Sequence, residues 1–327
     1  MLHRAREWFA TSSYCHQQWS ASQVASRLAE GGERVAVVIP ARNEERTVAD
    51  VVTAVRTALV EQVAVVDELI VIDSDSTDAT AEVAAAAGAR VYRSRDIAPG
   101  EGSYPGKGEA LWKSLFVTTA DLILFIDADL THWGPHFVTG LLGPLLADPR
   151  VHLVKGYYDR ILTREGERPT PEGGRVTELL ARPLLNLWWP ELAGLVQPLA
   201  GEWAVRRTFF EQVSVPTGYG VEIAAVLDAY ERYGLDGIAQ VDLGARAHRH
   251  QKDHDLAVMA AEILGVAYQR GRQREGGAGE PPSAAALAVS DTLQQPVRDA
   301  SGATIWRERP VPVVQRPPAV SVAGYAR

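Results

Sequence analysis

Leu122-Ile123-Leu124-Phe125-Ile126-Asp127-Ala128-Asp129 is a five-residue apolar run that stops on two carboxylates. A run without polar alternation reads as a strand buried on both faces, the habit of parallel sheets covered by helices. Beyond its end, carboxylates at i and i+2 project to the same side. Hard oxygen ligands so placed suit Mg2+ or Mn2+, with a plain surface turn as the competing reading.

The pattern recurs upstream. Val35 to Ile39 stops in Pro40-Ala41-Arg42-Asn43-Glu44-Glu45, and Glu68 to Ile72 stops in Asp73-Ser74-Asp75-Ser76. Helical stretches lie between the runs: Thr47 to Leu59, Asp78 to Ala87 closed by Gly88, and Gly108 to Thr119. With a short strand at Arg90 to Arg93, the alternation predicts an α/β, Rossmann-like domain with a mostly parallel sheet. Ligands of such sheets bind beyond the carboxyl ends of the strands. Ser76 or Asp78 alone would merely cap a helix. Three acidic clusters at strand ends crowd charge into one crevice, where carboxylates repel unless a cation or donors join them.

The second half reads as strands at Val151 to Tyr157 and Ile238 to Leu243, helices at Val176 to Leu187, Val221 to Tyr233 and Asp253 to Tyr268, and a polar loop from Thr163 to Gly174. Residues 1–33 form an extension, helical from Ser22 to Glu30 and stopped by Gly31-Gly32. Residues 272–327 read as a Pro/Gly-rich arm or a partly disordered tail, or, through Trp306 and Val311 to Val314, as a segment that pairs with a partner subunit in a homodimer; the sequence leaves these open. The net charge of −8 over 327 residues argues against nucleic-acid binding. The apolar runs are too short to span a bilayer, and Met1 to Ala10 lacks the apolar core of a signal peptide. The lone Cys15 permits no intramolecular disulfide and fits a cytoplasmic setting without membrane contact.

Pro99 to Gly108 invites a phosphate-loop reading and fails it. Glu101 stands where a P-loop needs its first glycine, Gly108 where it needs Ser or Thr, and Pro105 breaks G-x-G-x-x-G. What survives is Lys107, a cation delivered to a helix start, or else a surface lysine. Gly173-Gly174 precedes a helix whose first turn carries Arg175 and Thr177, a ready phosphate site or a Gly-rich turn with a capping Thr. Glu222 sits at a helix start, where a carboxylate also complements the dipole. Trp188-Trp189 reads as core.

Pro40-Ala41-Arg42-Asn43-Glu44, Asp73-Ser74-Asp75-Ser76-Thr77-Asp78, Gly106-Lys107-Gly108 and Asp127-Ala128-Asp129 together resemble the GT-A glycosyltransferases. With Gly173-Gly174-Arg175-Val176-Thr177-Glu178, Gln197-Pro198-Leu199-Ala200-Gly201-Glu202, Gly218-Tyr219-Gly220-Val221-Glu222 and His248-Arg249-His250, residues 30–270 resemble the actinobacterial glucosyl-3-phosphoglycerate synthases. The resemblance implies a GT-A fold over 34–271, with a nucleotide-sugar half at 34–150 and an acceptor half at 151–271. It implies UDP-glucose as donor, 3-phosphoglycerate as acceptor, retention at the anomeric carbon, and Mg2+ or Mn2+. Donor contacts would come from Pro40, Ala41, Arg42, Asn43, Glu44, Asp73, Ser74, Lys107, Asp127 and Ala128. Asp129 and His248, with Asp127, would hold the metal; Gly174, Arg175, Thr177 and His250 would hold the acceptor. The pattern expects Asn where this chain has His250. Lys107, Glu222 and Asp127 would be catalytic. A polyprenyl-phosphate glycosyltransferase would need a membrane-facing helix. A sugar-phosphate nucleotidyltransferase would need a Gly-rich basic loop after the first strand, and Pro40 to Glu44 has no glycine.

Overall fold

The computed structural model describes residues 2–162, 170–171, 174–248, 256–275, 290–298, 303–311 and 313–325. In chain order the strands are β1 (Ser13–Cys15), β2 (Val35–Ala41), β3 (Glu68–Asp73), β4 (Arg90–Arg93), β5 (Leu122–Phe125), β6 (Leu130–His132), β7 (Leu153–Leu162), β8 (Thr170–Pro171), β9 (Trp203–Arg206), β10 (Val215–Pro216) and β11 (Ile238–His248). The main sheet runs β1-β11-β7-β9-β5-β2-β3-β4, with β6 on β11 and β8 on β7. Along that order β9 is antiparallel to β5 and β7, and the other neighbours are parallel.

Strand geometry explains two apolar layers. Side chains alternate faces along a strand, so Ala36, Val38, Ile70, Ile72, Ile123 and Phe125 pack in one cluster. Val35, Val37, Ile39, Val71, Leu122 and Leu124 pack in the other. Both layers need a covering of helices, which is why these strands carry no polar face. The carboxyl ends of β2, β3 and β5 consequently reach one edge of the sheet, where the polar clusters collect.

Both termini join this body. The Leu2–Ser12 helix buries Trp8, whose Nε1 donates to Leu235 O and Ile238 O, both at 3.0 Å. β1 then adds an edge strand beside β11, although Ser13-Tyr14-Cys15 has no apolar run to announce it. The expected helix follows at Ala21–Gly31. Ser20 caps it reciprocally with Gln23, and Gly32 ends it at φ 73°.

The late helix runs Leu256–Glu275, longer than its sequence suggested. The tail forms a hairpin of β12 (Thr292–Arg298) and β13 (Thr304–Pro310), then β14 (Gln315–Arg316), which pairs antiparallel with β10. The last part of the expected arm is therefore docked on its own chain. Most of the Thr163 to Gly174 loop lies outside the described residues. Among the described residues no helix is long and apolar enough to cross a membrane.

Candidate active site

The loops after β2 and β3 are stapled together. Asn43 adopts φ 59°, a left-handed conformation that Asn tolerates better than most residues. Its N–H donates to Ser76 Oγ at 3.0 Å, and its Oδ1 accepts from Thr77 N at 2.8 Å. Glu44 N donates to Thr80 Oγ1 at 2.8 Å, and Glu44 Oε2 accepts from Thr47 Oγ1 at 3.1 Å. Ser74 N donates to Ala41 O at 2.9 Å, and Asp73, buried, accepts from Ser76 N at 3.4 Å. Asp78 Oδ1 accepts from Thr80 N at 3.0 Å, one residue ahead of the Thr80–Ala86 helix's N-cap, Ala79. Pro40, Ala41, Arg42, Asn43, Glu44, Asp73 and Ser74 thus form one rigid rim, with Arg42 and Asn43 exposed on it.

Lys107 is not a surface lysine. It opens the Lys107–Ser114 helix, and its Nζ lies 2.6 Å from Asp127 Oδ1 and 3.0 Å from Glu222 Oε1. The flanking glycines permit this. A Cβ on Gly106 would stand 2.3 Å from Thr217 O, and one on Gly108 1.8 Å from Pro216 O. Glycine is thus required for the close backbone approach that sets the helix start. Burial alone would lower the Lys107 ammonium, but Asp127 and Glu222 outweigh it and hold its pKa well above the usual value. Glu222 begins the Val221–Tyr233 helix and is itself buried.

Asp127 takes a second cation. Arg246 Nη2 lies 2.8 Å from its Oδ2, 3.0 Å from Glu202 Oε1 and 3.8 Å from Asp129 Oδ1. Burial works to raise Asp127, yet Lys107 and Arg246 prevail and keep it well below the usual carboxylate range. Asp129 goes the other way: burial, then the Asp127 charge, push it up to about 7 against the opposing Arg246. A Cβ on Gly201 would fall 2.2 Å from Asp127 Oδ2, so the chain passes directly against this cluster. Lys155, wholly buried, donates to Ala200 O at 2.7 Å.

The donor set fits a hard divalent cation. Asp127 has a cation on each oxygen, whereas Asp129 is crowded by like charge with its closest cation at 3.8 Å. A metal ion beside Asp129 would restore its charged form. Among the described residues no three His, Cys, Asp or Glu side chains converge into a cage. The His248 main chain pairs with Leu130 on β6; the His248 side chain and all of His250 lie outside the described residues.

In the segment expected to hold the acceptor, Gly174 sits at φ 77°, and its carbonyl accepts from Glu178 N at 2.9 Å. Arg175 is exposed and Thr177 is buried at the start of a π-helical turn, Thr177–Ala181, continued by the Arg182–Trp188 helix. Such wide turns gather at functional sites. Of the paired tryptophans, Trp189 is core and Trp188 is half-exposed.

Arg246, Glu202 and Lys155 received no role from sequence. Arg246 stands two residues before His248 on β11, with a register irregularity between Ala247 and His248, and no motif in the sequence singles it out.

Carboxylates at the ends of parallel strands, a lysine at a helix start and a stapled rim define a nucleotide-sugar-dependent transferase site on a GT-A-like sheet. The chain belongs to glycosyl transferase family 2, whose profile matches residues 36–201. It is 47% identical to the glucosyl-3-phosphoglycerate synthase of Mycolicibacterium smegmatis, over 80% of this chain and 85% of that one. It is 44% identical to the enzyme of the same name from Petrotoga mobilis, over 72% and 73%. Among solved structures it resembles mannosyl-3-phosphoglycerate synthase from Rubrobacter xylanophilus, with TM-score 0.84, 40% identity and 96% of each chain covered. It also resembles glucosyl-3-phosphoglycerate synthase from Mycobacterium tuberculosis in complex with Mn2+ and UDP-glucose, with TM-score 0.77, 39% identity and 92% and 95% coverage.

Proposed function

We propose that this chain transfers glucose from UDP-glucose to 3-phosphoglycerate with retention, using Mg2+ or Mn2+. The observation that carries the reading is Lys107 Nζ held between Asp127 and Glu222 where the strand ends meet. The names of the relatives supply the glucosyl group and the acceptor, and the UDP-glucose complex of the Mycobacterium tuberculosis enzyme supplies the donor. The acceptor hydroxyl oxygen bonds to the anomeric carbon, the bond from that carbon to UDP breaks, and the hydroxyl proton ends on the released diphosphate. A divalent cation held by Asp129 and His248 would offset the charge that gathers on that diphosphate. Lys107 adds a fixed positive charge to the same end. The rim at Pro40 to Glu44, with Asp73, Ser74 and Ala128, receives uracil and ribose. Gly174, Arg175, Thr177 and His250 grip the acceptor phosphate, and Glu222 orients the reacting groups.

The deciding experiment is UDP release from UDP-glucose with 3-phosphoglycerate, compared with glycerate, other sugar phosphates and lipid phosphates. Equal rates with unphosphorylated glycerate would sink the acceptor assignment. Arg175→Ala should raise the acceptor KM by orders of magnitude while leaving the Kd for UDP unchanged. Truncating one partner of a charge pair that the bound substrate buries costs about 2–5 kcal/mol. If UDP binding weakens equally in calorimetry, Arg175 belongs to the donor side.

A second donor reading, a nucleotide-activated mannose, is favoured by the name of the Rubrobacter structure. Initial rates with the two donors at equal metal separate them. A cytoplasmic homodimer completes the reading, its dimer contact resting on Leu179 and Leu187, 79% and 77% exposed. Light scattering at one protomer mass would refute the dimer.

A further inference from the structure

Arg316 reaches the catalytic helix from the far end of the chain. It lies in β14 and is 3% exposed. Its Nε donates to Glu109 Oε2 at 2.6 Å and its Nη2 to Glu109 Oε1, the forked geometry that only arginine offers. Nη1 donates to Glu101 O at 2.7 Å and Nη2 to Gly102 O at 3.0 Å. The guanidinium centre lies 4.6 Å from the Tyr104 ring and 4.7 Å from the Trp112 ring.

These bonds close on both sides of Gly106-Lys107-Gly108. Glu101 and Gly102 precede it, Tyr104 N donates to Glu109 Oε1 at 3.3 Å, and Trp112 Nε1 donates to Pro317 O at 2.8 Å. The tail also braces the backbone on which the two glycines rest. Thr217 N donates to Val314 O at 3.0 Å, and Glu109 N donates to Thr217 O at 3.0 Å. Lys107 therefore leaves a main chain fixed before, after and beneath by contacts that depend on the tail. Its ammonium must meet carboxylates on two separate elements, Asp127 after β5 and Glu222 on the Val221–Tyr233 helix. A flexible four-carbon side chain holds such a place only if its root does not move.

We propose that Arg316 is a positioning residue for Lys107, making the β14 strap part of the catalytic centre. The inference rests on the reading that Lys107 acts in sugar transfer. A buried ion pair is often structural only, so the test needs a readout at Lys107 itself. Two variants of the full chain serve. Arg316→Lys keeps the charge opposite Glu109 and loses the fork. The double variant Arg316→Met with Glu109→Met removes both charges and leaves the buried Lys113, 4.0 Å from Glu109 Oε1, with its bonds to Ile97 O, Ala98 O and Gly102 O.

In folded variants, kcat should fall about 10- to 100-fold while KM for both substrates stays within about threefold, the cost of a misplaced group. Acetylation of Lys107 by acetic anhydride, mapped by mass spectrometry, should be several-fold faster than in the unmodified protein. If the double variant does not fold, Arg316→Lys decides alone. Unchanged Lys107 acetylation and unchanged kcat in a folded variant would overturn the proposal, as would KM effects without a kcat effect. Lys107→Ala, run alongside, tests the underlying reading separately: full activity there removes the role of Lys107 without touching the acetylation result.

Discussion

Two carboxylates separated by one residue behave differently in this site. Lys107 and Arg246 engage both oxygens of Asp127, while Asp129 is pressed towards protonation by burial and by Asp127. Asp129→Ala should therefore abolish transfer without lowering the melting temperature, since it removes charge repulsion rather than core. Turnover with Mg2+ or Mn2+ and then EDTA, beside circular dichroism, checks this; full activity in EDTA would contradict it. Lys155 gives a pH signature. Burial depresses its ammonium to about 7 from 10.5, so between those values the unfolded chain binds the extra proton. Its contribution to stability is most favourable above 10.5 and is lost as pH falls to 7. Urea unfolding should show the stability of the protein, relative to Lys155→Met, rising from pH 7 to pH 9; a flat difference would refute the assignment. Neither Lys155 nor Arg246 was legible as a site residue. A charged residue inside a strand shows its partner only after folding, and Arg246 meets Asp127 across 119 positions.

At the level of elements, buried parallel strands announced themselves because they must be apolar on both faces, as Val35 to Ile39 are. The Lys107 helix was legible too, but not its tight seat against β10, because a glycine records a close approach without naming what approaches. Gly108→Ala tests that seat. With a Cβ 1.8 Å from Pro216 O, the helix start must shift. The expected cost is about 1–3 kcal/mol of stability, with kcat falling at least about tenfold as Lys107 moves. Normal kinetics in the variant would show that the helix start tolerates displacement. β1 escaped sequence reading for the opposite reason: three half-buried residues carry no period.

Across the whole molecule, both ends of the chain are fastened to the sheet or to the helices around it. Trp8 seals the turn between Leu235 and Ile238, so Trp8→Ala should destabilise the fold by about 3–5 kcal/mol. Activity per folded molecule should stay unchanged, because Trp8 lies at the opening of β11 and not at its Arg246 end. Urea midpoints and active-site-normalised rates measure the two effects; a specific fall in kcat would tie the N-terminal helix to the chemistry. The composition shift after Arg272 hid the docking of β14, since Pro-rich sequence describes local stiffness and not a distant partner.

The arrangement also sets a schedule for biosynthesis. Asp127 is made 119 residues before Arg246, and β1 more than two hundred before its pairing partner on β11. At roughly 5–20 residues per second, a nascent chain carries Asp127 and Asp129 for on the order of 6 to 24 s before the arginine that ties them together exists. During that interval the ribosome holds an N-terminal half with an open sheet edge and an acidic knot, and closure waits for the last long strand.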